Sequence, residues 1–164
     1  MANLCLAAAE KLKELLLAPN GLGPRLYDIS QRDMVEIPNI MPPNVILRRA
    51  APDFQDENDE TVYPAVLVYC ERLENRLEQK FAAFSGRLYL VADILVTGQT
   101  LDSIDGDAER VTEAVMELLA DNHGQWTENL AFDGRLEVDF DAAKRGAVNY
   151  LGRARMRLEL LACA

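Results

Sequence analysis

Histidine is almost missing from this chain: His123 is the only one in 164 residues. Imidazole is the side chain that changes charge near neutral pH and the commonest nitrogen ligand for metals. A single copy beside Gly124, where a helical pattern stops, points to a cap or a surface residue rather than a general base. No Gly-x-Ser-x-Gly, Walker A or His-Glu-x-x-His pattern occurs, so the usual nucleophile, phosphate-loop and zinc-hydrolase signatures are all missing. The three cysteines, Cys5, Cys70 and Cys163, are odd in number and far apart. Without a Cys-x-x-Cys they argue against both a disulfide framework and a zinc site. Positive charge is scarce as well: 17 Lys and Arg face 27 Asp and Glu, a net charge of −10. Such a field repels polyanions on average, so DNA, RNA and anionic membranes are not expected ligands. There is no apolar run long enough to span a bilayer and no basic leader ahead of one, and the expectation is an intracellular protein with reduced thiols.

What is present is ordinary globular material, 49% apolar and 27% charged, in a length that suits one domain able to bury roughly two-thirds of its unfolded surface. Residues Asn3–Leu17 place Leu4, Ala8, Leu12, Leu15 and Leu16 on one side of a helix, with Asn3 as N-cap and Pro19-Asn20-Gly21 as the stop. From Gly21 to Pro43 the periodicity disappears among Gly21, Gly23, Pro24, Pro38, Pro42 and Pro43. Such a stretch is expected to be a long Pro-rich loop, either wrapped on its own core or extended over positions 24–43 as an arm that orders on a partner. Val45–Leu47 predicts a short strand. Asp53–Glu60 carries Asp53, Asp56, Glu57, Asp59 and Glu60 without a base between them, which favours a solvated loop. A hard-cation site is the sharper alternative, weakened by the missing glycine that a calcium loop of the EF-hand kind needs.

Tyr63–Cys70 is nearly continuously apolar and predicts a strand covered on both faces, with Pro64 tolerated at its start. Glu71–Lys80 is compatible with a short helix or a charged hairpin. Arg87–Val96 predicts a strand whose Leu88, Leu90, Ala92, Ile94 and Val96 form a wholly apolar face, against a mixed face containing Asp93. Asp107–Asp121 carries Val111, Ala114, Val115, Leu118 and Leu119 at helical spacing. Asp133-Gly134 predicts a type I′ hairpin between Leu130–Phe132 and Arg135–Phe140. After a polar link, Asp141–Gly146, a long strand alternates Val148, Tyr150, Gly152, Ala154, Met156, Leu158 and Leu160 with a face bearing Arg153, Arg155 and Arg157. Three like charges at alternate positions need opposite charges beside them, and Glu137 and Asp139 have the matching spacing. The fold class expected is α+β: a mostly antiparallel sheet with two main amphipathic helices packed on it, in a single domain spanning 1–164.

This order of elements resembles the tail terminator and related head–tail joining proteins of long-tailed bacteriophages. The features that carry the likeness are the N-terminal amphipathic helix, the strand Tyr63–Cys70, the strand Arg87–Val96 leading to the helix Asp107–Asp121, and the terminal strand Ala147–Ala162. The resemblance implies a structural virion protein without catalytic residues, cofactor or metal. It would form a homo-hexameric ring at the head-proximal end of the tail, after assembly in the host cytoplasm. Its partners would be itself, the tail tube protein and a head-completion protein, with DNA passing an acidic lumen without tight binding and no membrane involved. The candidate assembly surfaces are then Tyr27, Met34, Ile37 and Ile40 of the arm, the acids Asp53, Asp56, Glu57, Asp59 and Glu60, and the row Arg153, Arg155 and Arg157. Two other classes remain open on the residues alone. One is an acidic protein-binding or scaffold module; the other is a metal-dependent enzyme built on scattered acids such as Asp93, Glu137 and Asp139.

Overall fold

The structure, a computed structural model, describes residues 3–49, 61–145 and 149–164. Its centre is strand β3, Ser85–Gly98, in which Leu88, Leu90, Ala92, Ile94 and Val96 are all buried, as are Val91, Asp93 and Leu95 on the other face. β3 is flanked by β2, Ala65–Asn75, and by β6, Tyr150–Cys163. Both pairings are antiparallel, and the one with β6 runs without interruption from Ser85↔Cys163 to Gly98↔Tyr150. Outside β6 lie β5, Leu130–Arg145, and the short edge strand β4, Gly124–Thr127. On the far side, β1, Val45–Ile46, runs parallel to the start of β2 and completes a six-stranded sheet of order β1-β2-β3-β6-β5-β4.

Among the described residues three helices accompany the sheet, the two expected amphipathic ones and a third. α1, Leu4–Leu17, begins where the Leu6 N–H donates to Asn3 Oδ1 at 3.1 Å, and it buries Leu4, Ala8, Leu12 and Leu16. α3, Leu101–Asp121, starts six residues earlier than the Asp107 expected from its apolar stripe. Thr100 caps it, its Oγ1 accepting from the Ser103 N–H, and Gly106 is simply absorbed into the helix. The unexpected helix is α2, Leu22–Asp33, inside the stretch expected to be loop. Pro24 does not oppose it, because a proline in the first turn gives up an N–H that has no intrahelical acceptor anyway. Leu22, Leu26 and Ile29 form its buried stripe, and Met34 closes it in the left-handed conformation. Only Val35–Met41 remains without regular structure. A 3-10 turn, Pro42–Asn44, then fixes the chain: the buried Asn44 side chain donates to Pro64 O at 2.8 Å and accepts from the Met41 N–H at 2.8 Å.

The other departures concern turns. Glu71–Lys80 is a hairpin, since β2 continues through a bulge after Cys70 and pairs Leu73 with Leu88 and Asn75 with Gly86. Asp133-Gly134 makes no hairpin. It forms an outward bulge within β5, where Phe132 and Leu136 oppose Leu160 and Leu158, two positions apart, and Gly134 takes a φ of 93°. The real hairpin lies between β4 and β5, with Thr127 opposite Leu130. Asp-Gly supplies the positive φ that either feature needs, so the dipeptide does not distinguish them. The link from Asp141 onward is still strand as far as Arg145, and Val148 falls outside the described residues.

The core lies between the helices and one face of the sheet. Ile104, Ala108, Val111, Val115 and Leu118 of α3 meet Ala154, Met156 and Leu158 of β6 and Leu90, Ala92 and Ile94 of β3 in one apolar cluster. Gly152 permits the close approach: a Cβ there would run into the Ile104 side chain and stand 3.0 Å from Val96 Cγ2. Side chains of this size contribute about 1.5–3 kcal/mol each when fully buried.

Candidate assembly interface

No helix belongs to the apolar cluster on the opposite face of the sheet, where Ala65, Leu67 and Leu95 are joined by Ile46, Tyr63 and Leu151. Alternation along β6 sends Arg153, Arg155, Arg157 and Glu159 to this side, away from Ala154, Met156 and Leu158. The register then dictates their neighbours. On β5, Asp139 opposes Arg155 and Glu137 opposes Arg157, the neighbours expected from the alternate spacing of these two acids, and Asp141, expected in a link, opposes Arg153. On β3, Asp93 opposes Arg155 and Tyr89 opposes Glu159.

Asp93 is the hub. It is 1% exposed, and its Oδ1 accepts from Arg155 Nε at 3.0 Å while its Oδ2 accepts from the Tyr69 hydroxyl at 3.1 Å. Burial, aided by the Asp93 charge, holds the Tyr69 phenol above its usual range, and the bond to Asp93 strengthens the hold of Arg155 on its proton. Arg153 Nε lies 2.8 Å from Asp141 Oδ2 and 3.9 Å from Asp93 Oδ1, ion pairs in distance without the alignment of a hydrogen bond. Arg157 reaches Glu71 at 3.1 Å, Glu137 at 3.3 Å and Asp139 at 3.2 Å. Arg87 Nε donates to Glu159 at 2.9 Å, and the Arg49 and Arg72 guanidiniums sit over the Tyr69 and Tyr89 rings. Each arginine of the row is therefore already bound by carboxylates. The opposite charges at ion-pair distance make the face largely self-neutralised.

The arm residues divide. Tyr27 is 65% exposed and Met34 92% exposed, whereas Ile40 is buried in the core and Ile37 packs against it half-buried. Between α2 and Val35–Met41 runs an open groove of about 490 Å³ lined by Leu26, Tyr27, Met34 and Ile37, and a neighbouring depression reaches Met41 and Pro42. α2 is tied to α3 by charge: Arg32 donates to Glu113 at 2.6 Å and Arg110 to Asp33 at 2.9 Å. The bonds from Arg32 and Arg110 hold the Asp33 carboxyl at about 2. Asp53, Asp56, Glu57, Asp59 and Glu60 lie outside the described residues.

His123 is exposed at the end of α3, its Nδ1 2.7 Å from Ala120 O. Cys70 is half-buried; burial pushes its thiol up to about 12, and Cys5 lies within hydrogen-bond reach. Among the described residues, no three His, Cys, Asp or Glu side chains are grouped to hold a metal ion, and no helix is long and apolar enough to cross a membrane.

Two features escaped the sequence reading. Asp93 stood there only as one of several scattered acids, and the burial that singles it out depends on strand order. The β2–β3 turn presents Leu77 and Phe81 to solvent; the sequence left Glu71–Lys80 open between a short helix and a charged hairpin. No protein-family model matches the chain, and no curated protein matches it either.

Proposed function

We propose that this chain is a structural subunit of the tail-terminator or head–tail joining kind, a protein that closes into a ring through its own sheet edge, caps a tail tube and docks to a head-completion protein. The observation that carries this reading is the outer edge of β5. Among the described residues, Leu136–Asp141 have ladder partners only on β6, because β4 pairs with nothing beyond Phe132. An unpaired strand edge of this length is a template for another chain unless it is covered. Here it also carries an apolar strip, with Leu136 and Val138 half-buried and Phe140 55% exposed. A second copy joined there would satisfy both the backbone groups and the strip.

Two further features support the same role. The ion-paired face is saturated with its own carboxylates and the net charge is −10, so DNA threading past such a ring would meet little phosphate affinity. The exposed groove beside α2 leaves a separate surface for contact after the edge is used. Light scattering across a concentration series, with particle images, tests the reading. Closed rings of about six subunits are expected, since closed cyclic symmetry is what a cap requires. A monomer at every concentration, or open filaments without rings, refutes it.

A further inference from the structure

The β2–β3 turn holds two apolar side chains out in water in a rigid frame. Phe81 is fully exposed and Leu77 70% exposed, with φ of 72° and 52°, a left-handed conformation that bulky residues rarely adopt. Hydrogen bonds anchor the turn at Leu77 and on both sides of Phe81, with Asn75 Nδ2 donating to Ala83 O at 3.4 Å. Asn75 Oδ1 accepts from the Leu77 N–H at 3.2 Å and the Ser85 N–H at 3.1 Å, Ser85 Oγ accepts from the Gln79 N–H at 3.0 Å, and the Arg76 N–H donates to Ser85 O at 2.9 Å. A pre-ordered apolar knob of this kind loses little freedom on binding.

We infer that this tip docks, Phe81 foremost, into the groove between α2 and Val35–Met41 of a second copy of the chain; the inference rests on the self-assembly proposed above and adds to the β5 edge a second contact, without which the ring does not close. The groove is open, apolar along Leu26, Tyr27, Met34 and Ile37, and none of its lining residues comes from the turn. Charge complements shape. The tip's Arg76 and Glu78 are already paired, with Glu74 and Arg87, which leaves Lys80 as the tip's charge without an ion-pair partner among the described residues. Beside the groove, Arg25 and Arg32 are paired with Asp121, Asp33 and Glu113, which leaves Asp28 and Glu36 exposed and without an ion-pair partner among the described residues. Lys80 thus meets two carboxylates. Because knob and groove are different surfaces of one chain, the contact is head-to-tail, the kind that propagates until rotation closes it.

The test is photocross-linking of the full chain carrying Phe81→p-benzoylphenylalanine, with the linked peptides identified by mass. Cross-linked dimers mapping to Leu22–Met41 are expected. Phe81→Asp and Tyr27→Asp, both at exposed positions, should each weaken self-association about 30-fold or more, as loss of a central aromatic anchor does. Mixed together they should associate more tightly than either does alone, since each retains one intact half of the contact. Cross-links elsewhere in a second copy, rings that persist in Phe81→Asp, or Phe81-dependent sedimentation with anionic phospholipid vesicles would overturn the inference. Persistent rings would leave the proposed function standing. Cross-links to the groove in open chains that never close would uphold the inference and remove the ring; a monomer without cross-links removes both.

Discussion

Asp93→Ala is the sharpest perturbation of the sheet, because the carboxyl is buried at the crossing of three strands and two donors depend on it. Arg155 loses a charge-assisted hydrogen bond at 3.0 Å and Tyr69 a neutral one at 3.1 Å. Handled separately these are worth about 1.5–3 and about 1 kcal/mol. The Arg155 side chain is 25% exposed, so water and the opposing Asp139 recover part of the first. The expected net loss is about 2–3 kcal/mol, a large fraction of the 5–15 kcal/mol typical of a domain (roughly). Urea unfolding followed by the fluorescence of Trp126, which is 8% exposed and packed 5.6 Å from Phe132, reads it directly. The midpoint should fall with the slope unchanged. Combining Asp93→Ala with Arg155→Ala should cost less than the sum by about 1 kcal/mol or more, since the pair is removed together. Arg155→Glu should be worse than either, whereas Glu71→Arg, at an exposed bulge, should cost about 1 kcal/mol or less. A loss below about 0.5 kcal/mol for Asp93→Ala, or additive singles, would mean that the face is held by its apolar contacts and the ion pairs are passengers.

Two further outcomes are expected. Asp33 is held at about 2 against an ordinary 3.8, so its contribution is present above pH 4 and is lost as pH falls toward 2. Asp33→Asn should flatten the acid branch of a stability–pH profile between about pH 4 and 2, and an unchanged branch would refute the assignment. Gly152→Ala should cost about 1–3 kcal/mol by pushing Ile104 off the sheet, and combining it with Ile104→Ala should cost less than the sum of the two single changes in the same urea assay.

The periodicities carried much of this architecture. α1, the inner face of β3, the stripe of α3 and the alternation of β6 all follow from the spacing of apolar residues, and the Arg row implied acids at matching positions before the register was known. What escaped was whatever the pattern expresses only in three dimensions. α2 was hidden because Gly23 and Pro24 are breakers in general and harmless in a first turn. Asp133-Gly134 satisfies a bulge as well as a hairpin. Leu77 and Phe81 look like stray hydrophobes in a charged run, and their exposure depends on a turn held by Asn75 and Ser85. Asp93 is distinguished from the rest of the 27 acids only by lying between β2 and β6.

β6 is the last element of the fold in chain order, yet it occupies the interior of the sheet between β3 and β5. A ribosome therefore delivers the keystone last. Until Tyr150–Cys163 emerge, the β2–β3 hairpin and β5 have no common neighbour, Asp93 has no arginine, and α3 has no glycine to settle against. A chain without β6 keeps the β2–β3 hairpin under its helices but has no strand to join that half of the sheet to β5.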